Sequence, residues 1–160
     1  MIKLIVKIFL IILAALFQVV LMPLLSIKGI WPNLILVGLV VLTLLDFRND
    51  GLLVAGLGGI FLDFVGPFFF GFYTFIFIGL WFLIIILSKR FFSEVNLLII
   101  IFMTFFSSSL LGILSCFALG RLPDWLVLIE GGYGAFLSLF FFLILMSANK
   151  SGPIVKLGKI

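Results

Sequence analysis

Between one charged residue and the next, this chain repeatedly runs apolar for about the length of a membrane span. Cutting it at charges and Gly/Pro breaks leaves six apolar segments, 8–25, 32–45, 51–65, 72–87, 97–119 and 125–147. A spanning helix needs roughly 20 mainly apolar residues, in practice about 17 to 25. The second, third and fourth segments fall short of that. Either they begin inside the loops or the bilayer thins around them. The chain is 66% hydrophobic and 10% charged, against about 25% charged in soluble domains, so lipid has to be its solvent. The sequence therefore predicts an all-α integral membrane protein. One six-transmembrane-helix bundle fills residues 1–148, followed by a short cytoplasmic tail at 149–160. Lys3 and Lys7 ahead of an apolar run resemble the start of a signal peptide, but no small-x-small cleavage site closes the run. It reads as an uncleaved first span.

Orientation follows from the basic residues. With the N-terminus in the cytoplasm, the inner segments hold Lys3, Lys7, Arg48, Lys89, Arg90, Lys150, Lys156 and Lys159, and the outer ones hold Lys28 and Arg121. Eight against two is the bias that places basic loops on the cytoplasmic side. Losing one span would move the C-terminal lysines outside, so both termini are expected in the cytoplasm. Trp31, Tyr73 and Trp125 fall at the expected outer interface, where amphipathic rings prefer to sit. Trp81 falls mid-span and is expected to pack between helices.

Several function classes drop out. The chain has no His and a single Cys, Cys116, which removes imidazole metal sites, Cys/His nucleophile pairs and any intrachain disulfide. The formal charge of +4 is scattered in ones and twos, without the stripe that follows phosphates, so no nucleic-acid partner is expected. Ser107, Ser108 and Ser109 lack a His, and no Lys lies within a span to act as base. The chain reads as a non-enzyme, with no cofactor implied.

Contacts between helices in lipid depend on small residues and polar links. Three segments carry such residues at helical spacing: Gly51, Ala55 and Gly59; Ser108, Gly112 and Cys116; and Glu130, Gly134 and Ser138. They are read as packing faces inside the bundle. The first, second and fourth segments are mostly Leu, Ile, Val and Phe and are expected to face lipid or a partner. Gln18 is expected to make one interhelical hydrogen bond.

Two carboxylates continue these stripes. Asp63 lies thirteen residues past Asp50, about 20 Å along a helix, and Glu130 lies six past Asp124, about 9 Å. In a core of about 30 Å both reach the outer third. An intramembrane acid is costly and usually faces the bundle interior. In one reading each acid bonds to a neighbouring helix; the Gly- and Phe-rich stretch after Asp63 suggests an irregular outer connection whose free N–H groups need an acceptor. In the other, Asp63 and Glu130 converge on an outward-facing cavity, share a proton, and receive a cationic ligand or a partner's side chain.

Pro32-Asn33-Leu34 opens the second segment, and Asp46-Phe47-Arg48-Asn49-Asp50-Gly51 forms a short charged connection. Gly59-Ile60-Phe61-Leu62-Asp63 gives a Gly-x-x-x-Asp element, and Gly66-Pro67 followed by Gly71-Phe72-Tyr73 gives a Gly-rich outer turn. In order and spacing, over roughly residues 15 to 90, these resemble the bacterial rod-shape-determining MreD family. Asn33 stands where family members often carry Asp. The resemblance implies a scaffold or adaptor of the cell-elongation and peptidoglycan-synthesis machinery, in the bacterial inner membrane. Its implied partners are an MreC-like single-span protein, MreB filaments and the wall-synthase complex. That family is in turn similar to the small substrate-binding subunits of energy-coupling-factor transporters. In this alternative the outer cavity near Asp63 and Glu130 binds a vitamin or metal. Short loops poor in polar ligand-orienting residues, and Ala14-Ala15 as the lone alanine pair, weigh against it.

Overall fold

A computed structural model describes residues 2–26, 29–91 and 95–149. The chain forms α1 (Ile2–Val20), a 3-10 turn at Met22–Leu25, α2 (Leu34–Leu44), α3 (Arg48–Leu53), α4 (Gly59–Val65), α5 (Phe72–Phe91), α6 (Leu97–Ala118) and α7 (Leu126–Asn149). No strand forms among the described residues. Four helical stretches are long and apolar enough to cross a membrane: Leu4–Leu24, Phe72–Arg90, Leu97–Ala118 and Leu126–Leu145. That is the make-up of a multi-pass membrane protein. Lys28, Lys150 and the tail expected beyond Asn149 lie outside the described residues.

The fourth segment proves to be full length. Helix α5 continues past Ser88 to Phe91 with Lys89 and Arg90 in its last turn. Cations there complement the helix dipole, and their stems can lie along apolar surface while the charges reach water.

The second segment is short because it is enclosed. Helix α2 has 11 residues, of which Ile35–Leu36–Val37–Gly38–Leu39–Val40–Val41, Thr43 and Leu44 are buried. It packs against α1, α3, α5, α6 and α7. Apart from Thr43, whose hydroxyl donates to the Leu39 carbonyl, its side chains are apolar all round, the pattern of a helix with neighbours on every side. The expectation that it faces lipid or a partner is therefore corrected: α2 is the centre of the bundle. Helix α1 is the opposite case. Ile11, Ala15 and Gln18 form its narrow buried seam, which Met22 of the 3-10 turn continues, while Leu4, Ile5, Phe9, Leu13, Phe17 and Val20 stay exposed.

The third segment is one helical rod over 48–65. A π-turn at Val54–Gly58 separates α3 from α4, and the junction residues Leu53, Val54, Gly58 and Gly59 all keep right-handed helical angles. Eighteen residues make a rod about 27 Å long. Its buried face is small: Gly51, Val54, Ala55, Gly58, Gly59, Leu62 and Asp63. The glycines seat two neighbours at once. Gly58 lies against the Ile35 side chain of α2, and Gly59 against the Thr74 backbone of α5. Gly51 lies against Thr43 of α2 and the Trp81 ring of α5.

Candidate functional site

Asp63 ends the buried face of the rod, and its carboxylate is fully engaged. It accepts the Tyr73 N–H at 2.7 Å, the Thr74 N–H at 3.2 Å and the Thr74 hydroxyl at 2.5 Å. Tyr73 and Thr74 are the second and third residues of α5, whose first-turn N–H groups have no partner within the helix. Asp63 thus caps α5 from the preceding helix, and the negative charge sits at the positive end of the α5 dipole. Two glycines make this possible. A β-carbon at Gly59 would lie 2.6 Å from Thr74 Cα, and one at Gly66 would lie 2.7 Å from both the Tyr73 ring and the Leu62 carbonyl. Gly71, at φ +99°, then turns the chain into α5 in a conformation that side chains disfavour.

The start of α2 is fastened in the same way. Asn33 is its N-cap, with Oδ1 accepting the Leu36 N–H at 3.1 Å. From α1, the buried Gln18 amide donates to the Pro32 carbonyl at 3.0 Å and accepts the Leu34 N–H at 2.6 Å. Gln18 therefore makes the one interhelical bond expected, to Leu34, and a second to the Pro32 carbonyl just ahead of α2.

Gln18, Asn33 and Tyr73 of these two fastenings line a cavity of about 400 Å³. Gln18, Asn33, Ser115 and Glu130 supply polar lining, and Trp31, Phe68 and Tyr73 supply aromatic lining. Glu130 comes from α7. Its carboxylate lies over Gly112 of α6, where a β-carbon would come within 2.7 Å of Oε2 and 2.9 Å of Val127. Among the described residues no hydrogen bond or ion pair is found to Glu130. Asp63 is not in the cavity wall. The convergence of the two acids on one chamber is accordingly corrected: Asp63 turns to the α5 backbone and Glu130 to the cavity. Tyr73 joins them, with its N–H on Asp63 and its side of the helix lining the chamber.

The small residues of α6 and α7 interlock below this chamber. Gly134 lies against Ser108, and Gly131 against Ser109 and Phe105. Ser138 is buried and donates to the Ala135 carbonyl at 2.7 Å. The hydroxyls of Ser107, Ser108 and Ser109 are buried without a hydrogen-bond partner. Gly58 and Gly131 escaped the sequence reading because it followed only every-fourth-residue steps. Helix seams alternate steps of three and four, and adding the third-residue steps would have found both.

At the far end of the bundle Lys7 of α1 pairs with Asp50 of α3 at 2.6 Å, and Asp46 with Arg48 at 2.8 Å. Trp81 packs between helices as expected, its Nε1–H donating to the Arg48 carbonyl at 3.0 Å. No group of three or more His, Cys, Asp or Glu side chains among the described residues is arranged to hold a metal. No family model, no curated protein and no solved structure matches this chain.

Proposed function

We propose that this protein is a non-enzymatic scaffold of the bacterial cell-elongation machinery, a six-span protein of the inner membrane with both termini in the cytoplasm. What carries the reading is the use made of the residues that resemble the MreD family. Pro32 and Asn33 start the central helix, and Gly59, Asp63, Gly66 and Gly71 build the α4–α5 hairpin. Such elements hold one particular fold rather than perform chemistry. The arrangement of ends agrees. The Lys7–Asp50 pair sets the start of α1 beside the start of α3, and α5 runs from its Asp63 cap to Lys89 and Arg90. Basic residues gathered in that way favour that end as cytoplasmic.

In this reading α1 is the docking helix. Apart from its narrow seam its circumference is free and apolar, which suits the transmembrane helix of an MreC-like single-span protein. MreB filaments and the wall synthase would join through that assembly. Affinity purification of the full chain from native membranes, with mass spectrometry of what accompanies it, tests this directly. A single-span coiled-coil protein with wall synthases is the expected recovery. Paired ATPases with a large membrane coupling subunit would overturn it in favour of a transporter's substrate-binding subunit, the reading that the Glu130 chamber favours.

A further inference from the structure

The Glu130 chamber poses a problem of charge. An acid inside a membrane protein is costly unless something offsets it, and among the described residues nothing pairs with this one. Gly112 leaves the space in which its carboxylate sits. At about 400 Å³ the chamber is of small-molecule size. One carboxylate is a poor site for calcium or magnesium, which take six or more oxygens or a largely retained water shell. Aromatic rings are a better complement to an organic cation, and Trp31, Phe68 and Tyr73 all line this space.

We propose that the chamber binds an organic ammonium group, with Glu130 as its counter-charge and the faces of Trp31, Phe68 and Tyr73 as its apolar and cation–π wall. The group is carried either by a free amine or by an ethanolamine lipid headgroup entering from the membrane surface. The partner assigned above is not needed for this. The binding measurement and the affinity purification fail independently.

The test is equilibrium binding of choline and of ethanolamine to the full chain in nanodiscs of phosphatidylglycerol, which has no amine headgroup. A single saturable site is expected, with no binding of 3,3-dimethyl-1-butanol, the uncharged analogue of choline. Glu130→Gln should weaken binding at least tenfold while the thermal transition stays in place, and Trp31→Ala should weaken it severalfold. Repeating the titration with phosphatidylethanolamine in the disc separates the sources. A fall in apparent affinity identifies the lipid headgroup as the resident ligand, and an unchanged affinity identifies a free amine. Absence of saturable binding overturns the proposal, as does equal binding by Glu130→Gln. Binding that emerges only in Lys28→Met also overturns it, since the chain's own lysine would then be the counter-ion.

Discussion

Asp63 and Thr74 are joined by two hydrogen bonds to one carboxylate oxygen, 3.2 Å from the Thr74 N–H and 2.5 Å from its hydroxyl. With the Tyr73 N–H on the other oxygen, this ties the end of α4 to the start of α5. Asp63→Ala leaves two first-turn N–H groups without an acceptor in a region that water reaches poorly. A loss of about 2–3 kcal/mol is expected, from a missing cap and missing charge-assisted bonds. Asp63→Asn keeps one acceptor oxygen and should lose about half as much. Thermal unfolding in detergent measures both. Equal losses would mean that charge, rather than the acceptor geometry, makes the cap.

Gly59 meets the Thr74 backbone, whereas the β-carbon position at Gly56 has nothing within 4 Å. Both are helical. Gly59→Ala must push α5 away and is expected to cost about 1–3 kcal/mol. Gly56→Ala should be neutral or stabilising by up to about 1 kcal/mol, through lower backbone entropy in the unfolded chain. Denaturation midpoints of the pair decide this, and a Gly59→Ala variant as stable as the parent would refute the close seat between rod and α5.

Asp46 follows the end of α2 at φ +68°, a left-handed conformation. The closure is the same one that Gly120 makes after α6. Phe47 N–H reaches the Leu42 carbonyl at 2.9 Å, as Arg121 N–H reaches that of Cys116 at 2.9 Å. Glycine is the residue suited to this position. Asp46→Gly should therefore stabilise the protein by about 0.5–1 kcal/mol. The exposed pair with Arg48 that it removes is worth about 0–1 kcal/mol. Asp46→Ala should destabilise. If Gly and Ala both lower the unfolding midpoint equally, the Arg48 pair and not the backbone governs the turn.

Ser108 and Ser109 bury hydroxyls that bond to nothing while touching Gly134 and Gly131. Removing an unpaired buried polar atom relieves its desolvation cost, about 1 kcal/mol or more. Ser108→Ala and Ser109→Ala are thus expected to be neutral or stabilising, whereas Gly134→Leu should separate α6 from α7 and reduce yield of folded protein. Unfolding midpoints and size-exclusion profiles report the two effects. Clear destabilisation by either alanine would point to a bound water at these hydroxyls.

Much of this was legible in the residues because the signals were local. Charges and turn residues delimit the apolar segments, and a carboxylate followed by a Gly- and Phe-rich stretch points to free N–H groups in need of an acceptor, which Asp63 supplies. Asn33 ahead of an apolar run is an N-cap signal of the same kind. The place of α2 was not legible. Apart from Thr43 its residues are apolar and form no polar face to show which way is out, so lipid-facing and fully enclosed helices read alike. The π-turn was equally hidden, because Val54–Gly58 carries no breaker stronger than its glycines. The parting of Asp63 from Glu130 depended on which way two side chains turn, and periodicity does not encode that.

The enclosure of α2 also bears on how the protein is made. Eleven residues rise only about 16 Å, roughly half the hydrocarbon thickness, and almost none of that surface ever meets a lipid chain. Its partition into the bilayer cannot then be decided by its own length, as it is for α6 or α7. It has to be settled jointly with α1 through Gln18 and with the rod through Gly58. The final berth of α2 exists only once α6 and α7 have arrived to close it in.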